Sequence, residues 1–173
     1  MRCPSLACAL SAIILLSGCG PALNWRDVSI GNTTLVTLFP CKPDATERTV
    51  PLAGVQQAMT MHSCDADGAT FALGHARLTD PAQAGQVLKQ WREATLAGLG
   101  PVPSAVALEP PSGAPSLTGM LSLRARRDPS REPTQSLQGL WFARGPDVFA
   151  AMVLAPTLRP EVTEPFFSGL RLR

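Results

Sequence analysis

The stretch VQQAMTMHSCDADGATFALGHARLTDPAQAGQVLKQWREATLAGLG, residues 55–100, carries two hydrophobic periods in succession. Val55 to Cys64 alternates loosely, as a strand does, and Asp65-Ala-Asp-Gly68 has the composition of a turn. Thr70 to Leu78 reads as the returning strand of a hairpin. A four-residue turn sets Cys64 opposite Ala69, His62 opposite Phe71 and Ala58 opposite His75. His62 and His75 would then share a face but lie about 13 Å apart along it, too far to hold one metal. At Asp80 the period changes. Asp80 suits an N-cap, Pro81 the first helical position, and Gln83 the place of a capping box. Ala84, Val87, Leu88, Trp91 and Thr95 fall on one stripe at helical spacing, and Gly98, Gly100 and Pro101 end it.

Outward from this unit the chain reads mainly as strands. Thr34 to Phe39 is one, stopped by Pro40, and residues 42–54 are a loop or a short edge hairpin. Ala105–Leu108 is short. In Leu117–Arg126 the residues Leu117, Gly119, Leu121, Leu123 and Ala125 face one way. Ser136–Ala143 and Val148–Leu154 form a hairpin around Arg144-Gly-Pro-Asp147. Pro160–Ser168 reads as a short helix, and Leu170 with Leu172 as a last short strand. The order predicts an α+β fold: an antiparallel sheet packed against one main helix, about 81–99, plus a short C-terminal helix. Met59, Met61, Trp91 and Trp141 are expected in the core.

The N-terminal residues have a different character. Met1-Arg2 is a positive start, and Leu6–Leu16 is an apolar run too short to span a bilayer as a helix. Leu16-Ser17-Gly18-Cys19 follows. These four residues resemble the lipobox of bacterial lipoproteins. The resemblance implies removal of residues 1–18 as a signal peptide and attachment of lipid to Cys19. It also implies a membrane facing the periplasm, with Gly20 in place of an aspartate pointing to the outer membrane. Residues 19–27 then read as a tether; fully extended, residues 20–27 reach about 25–30 Å. Trp25 within it is a candidate to rest at the membrane interface. Residues 28–173 form a single α+β domain.

The 15 basic and 13 acidic residues include Arg2 of the leader, so the remainder is nearly neutral and unlike a nucleic-acid binder. Seventeen prolines and 14 glycines suit many turns and short elements. Of the cysteines beyond the leader, Cys19 is assigned to lipid. That leaves Cys41 and Cys64, expected as a disulfide in an oxidising compartment, against the rival reading of two buried free thiols. The pair lacks the further ligands zinc needs, so no metal is assigned. Asp65 and Asp67 suit a turn better than calcium.

Phe39-Pro-Cys-Lys-Pro43, the central helix, the strand meander and the Phe166-Phe167-Ser168 ending together resemble the PsbP-like fold, in the form carried by proteobacterial lipoproteins. The likeness is one of pattern over residues 30–173. It implies a non-catalytic assembly or binding module and supplies no site residues.

No catalytic residues, cofactor or metal are assigned. No Gly-x-Ser-x-Gly elbow, His-Glu-x-x-His, Cys-x-x-Cys or phosphate loop occurs. An envelope hydrolase with dispersed residues, or a structural envelope lipoprotein, are the alternatives. The densest charge is Arg124-Ala-Arg-Arg-Asp-Pro-Ser-Arg131. Arg124 and Arg126 project opposite Leu123 and Ala125, with Arg127 and Arg131 in the following turn. Arginine suits phosphate and carboxylate, so these four are the candidate site for anionic lipid or an envelope protein partner. The rival reading is a solvated hairpin whose charges guard a sheet edge.

Overall fold

The structure, a computed structural model, describes residues 23–52, 54–99, 105–106, 118–126 and 134–173. Among these described residues, strands and helices follow in the order β1 Arg26–Ser29, β2 Leu35–Phe39, β3 Asp44–Leu52, β4 Val55–Ala66, β5 Ala69–Arg77, α1 Ala84–Leu99, β6 Ala105–Val106, β7 Thr118–Arg126, β8 Ser136–Arg144, β9 Asp147–Ala155, α2 Pro160–Ser168 and β10 Arg171–Leu172. Seven strands make one sheet, in the order β3-β4-β5-β9-β8-β7-β6. Every pairing in it is antiparallel, as the α+β reading predicts. A second sheet, β1-β2-β10, is small and was not foreseen.

Alternation along the central strands explains why two layers cover the large sheet. Val148, Ala150 and Met152 of β9 face α1, together with Ala72, Ala76, Leu137 and Trp141. Phe149, Ala151, Val153 and Ala155 face the other way, with Phe71, Leu73, Leu140 and Phe142. There they meet Leu35 and Phe39 of the small sheet and Val162, Phe166 and Phe167 of α2. Strand β9 is apolar at nearly every position because it is buried on both faces.

Helix α1 forms where its period predicts. The Asp80 carboxylate accepts from the Ala82 N–H at 3.0 Å, and Pro81 opens a turn of 3₁₀ helix that runs into α1. Ala84, Val87, Leu88, Trp91 and Leu99 are its buried residues. Thr95, on the same stripe, is half-buried and donates its hydroxyl to the Trp91 carbonyl at 2.9 Å. Trp141 is buried, as expected, and Met59 and Met61 pack half-buried against the α1 side of the core.

Three expectations are corrected. Residues 42–54 are mostly strand: β3 pairs with β4 from Asp44↔Ser63 to Leu52↔Val55. The β4–β5 register differs by two residues. Ala66 lies opposite Ala69, Cys64 opposite Phe71, His62 opposite Leu73 and Thr60 opposite His75. The cause is a two-residue turn at Asp67-Gly68, whose φ angles of 51° and 74° are both left-handed. Such a turn matches the strand twist, and Asp-Gly is its strongest short signal. The third correction concerns the tether. Trp25 packs edge-on against Phe71, with ring centroids 6.1 Å apart, instead of lying free for a membrane. Asn24 donates to the Pro40 carbonyl at 2.7 Å, and Leu23 packs against the core, so the fold has begun by residue 23.

These pairings define the two ends of the sheet. At one end stand the Asp67-Gly68 turn, the start of β8 and the end of β7, linked by Asp65↔Thr70, Thr70↔Leu154, Ser136↔Ala155 and Arg126↔Ser136. Arg159 ion-pairs with Asp67 there. Trp25 and the Cys41–Cys64 disulfide sit toward the same end, through Phe71 and its strand partner Cys64. At the other end, Asp147 lies opposite Arg77 and Arg144.

Candidate anion-binding cleft

Strand β7 positions two of the four arginines singled out in the sequence. Ala125 is buried toward α1, so its neighbours Arg124 and Arg126 must point to the opposite face. Both are exposed. Arg124 lies opposite Gln138 and Arg126 opposite Ser136. The Arg124 guanidinium donates to the Gln138 side-chain oxygen at 3.0 Å. The Ser136 hydroxyl donates to the Pro156 carbonyl at 3.4 Å. This holds the chain after β9 beside the arginines.

The result is a cleft of about 310 Å³, walled by Arg124, Arg126, Ser136, Pro156, Thr157 and Leu158. Among the described residues no carboxylate pairs with either arginine; the ion pairs present lie elsewhere. Guanidinium N–H groups at the rim of a cleft suit a phosphate or carboxylate, which they engage with paired, charge-assisted hydrogen bonds. Arg127 and Arg131 lie outside the described residues, as does Cys19.

The histidines fall elsewhere on the same sheet face. In the observed register His62 and His75 are diagonal neighbours on β4 and β5, a separation of about 7–8 Å rather than 13 Å. His62 is held below its ordinary range, first by burial and second by the nearby His75. His75 stacks on Phe149 with centroids 5.0 Å apart. Its Nε2 lies 2.9 Å from the Asp147 carboxylate, which Arg77 also reaches at 3.2 Å. The group ties the ends of β5 and β9. No local pattern announces it, since His75 and Asp147 are 72 residues apart.

Asp65 and Asp67, weighed above as calcium ligands, have other partners: Asp65 accepts from the Thr70 hydroxyl at 2.6 Å, and Asp67 pairs with Arg159. Among the described residues no three His, Cys, Asp or Glu side chains converge on a metal position. A second cavity, of about 380 Å³, lies between α1 and the β3–β4 hairpin and is walled by Val50, Leu52, Met59 and Trp91. Its lining continues the hydrophobic core.

The Cys41–Cys64 disulfide expected from the cysteine count is present, with Cα atoms 6.1 Å apart. Among the described residues no helix is long and apolar enough to cross a membrane. The chain matches no protein-family model and no curated protein, so its reading rests on its own residues and geometry.

Proposed function

We propose that this chain is an envelope lipoprotein, held to the outer membrane by lipid on Cys19, whose domain is a non-catalytic binding or assembly module. The observation that carries the reading is the closeness of the Leu16-Ser17-Gly18-Cys19 motif to the start of the fold. Leu23 is already packed against the core. Four residues past the lipid site, it lies within about 14 Å of Cys19 by chain length alone. Lipid on Cys19 therefore keeps the domain against the bilayer. The Cys41–Cys64 bond suits the oxidising compartment that such an anchor implies. The likeness to PsbP-like modules supports binding or assembly over catalysis.

Fractionation tests the anchor. The wild-type chain is expected in the membrane fraction and resistant to salt washing. Cys19→Ala should abolish incorporation of labelled fatty acid into the chain, and unchanged incorporation would contradict the proposal. Crosslinking followed by purification from membranes tests the assembly role; recovery of no reproducible partner would count against it.

A further inference from the structure

We infer that the Arg124–Arg126 cleft faces the membrane and takes the phosphate of an anionic lipid headgroup. The inference rests on the anchored reading above and adds the side from which the membrane is met. The sheet end that carries the cleft is also the end where the chain enters the fold. Trp25 contacts Phe71 near the start of β5. Arg126 and Ser136 stand level with that start, through Ser136↔Ala155 and Leu154↔Thr70. From β5 to β7 the sheet order is β5-β9-β8-β7, three strand spacings or about 14 Å. A bilayer reached within about four residues of Leu23 therefore lies beside the cleft as well.

The chemistry fits that position. Arg124 spends one N–H group on Gln138, and a guanidinium carries further donors. No described carboxylate neutralises Arg124 or Arg126. The arginines at the other end differ in place: Arg77, engaged with Asp147, and Arg144 lie on the pole away from Trp25. A phosphate diester exposes two anionic oxygens of the kind guanidinium forks bind, and a cleft open to the bilayer surface admits a headgroup without extracting the lipid.

The test uses the full-length Cys19→Ala chain, so its outcome does not depend on lipidation. Its partition is measured between buffer and vesicles of phosphatidylcholine, with and without phosphatidylglycerol. The apolar leader enters both kinds of vesicle, so the ratio of the two partitions reports charge recognition. Phosphatidylglycerol should raise partition, and Arg124→Gln/Arg126→Gln should lower that gain about thirtyfold, from roughly fivefold per arginine near an anionic surface. Each single variant should lose about fivefold. Arg77→Gln/Arg144→Gln, at the other end, should keep the wild-type ratio. An unchanged ratio in the double cleft variant would overturn the inference. So would an equal loss in the distal variant. Saturable binding of inorganic phosphate without vesicles would overturn the lipid assignment in favour of a soluble ligand. A wild-type chain found without lipid on Cys19 would instead overturn the anchor and leave the vesicle preference standing.

Discussion

Single residues fix the close approaches in this fold. Gly74 of β5 lies under the indole of Trp91. A Cβ there would stand 2.5 Å from the Trp91 Cζ2 and 2.8 Å from its Cη2. Trp91 is nearly buried between α1 and the sheet, so moving its ring disturbs the packing on that face. Gly74→Ala should therefore lower unfolding stability by about 1–3 kcal/mol, the usual cost of overpacking. Denaturant titration would measure it; a neutral effect would show that α1 shifts freely on the sheet. His62 makes a second residue-scale prediction. Its folded pKa is depressed by burial and by His75, so the unfolded chain binds the proton more readily. The contribution of His62 is complete above its ordinary pKa of about 6.5, falls as pH drops below that value, and levels off under the folded pKa. Thermal unfolding between pH 8 and 5 should show this loss, and His62→Gln should flatten it. An unaltered pH profile in the variant would contradict the assignment.

At the scale of elements, legibility followed the strength of local signals. Helix α1 was readable because its period, cap and terminating glycines all agree. The β8–β9 hairpin and α2 were readable for similar reasons. The β4–β5 register was misread because Asp65 and Ala66 were counted as turn, whereas Asp67-Gly68 alone makes it. Strand β3 was obscured by its exposure: it is an edge strand with Glu47, Arg48 and Pro51 in place of an apolar alternation. Of the small sheet, β2 and the last short strand were readable; β1, with four residues, is too short to show a period, and the pairing of β2 with β10 joins distant parts of the chain. The Cys41–Cys64 bridge was readable from counting, and it joins the end of β2 to the end of β4. It closes a loop across 23 positions, so its loss should cost about 3 kcal/mol in the chain-entropy picture. Comparing denaturation midpoints of the Cys41→Ala/Cys64→Ala variant and the wild type tests this; equal midpoints would show that the bond constrains little.

For the whole molecule, the sheet carries packing on both faces and leaves its polar chemistry at its two ends. One end gathers Asp147, His75 and Arg77 in mutual contact. The other gathers the chain entry, the Asp67–Arg159 pair and the arginine cleft. The shared face of Arg124 and Arg126 was legible, because alternation with buried Ala125 sets it. Its position beside the chain entry was not, since that depends on pairings spread from β4 to β9. Lipid on Cys19 is the central proposal. Intact-mass and peptide analysis of the protein extracted from membranes tests it directly. A lipid anchor predicts a mature chain that begins at Cys19, with a diacylglyceryl thioether on its sulfur and an acylated amino group. A chain that retains Met1, begins at another residue, or carries an unmodified Cys19 would contradict it.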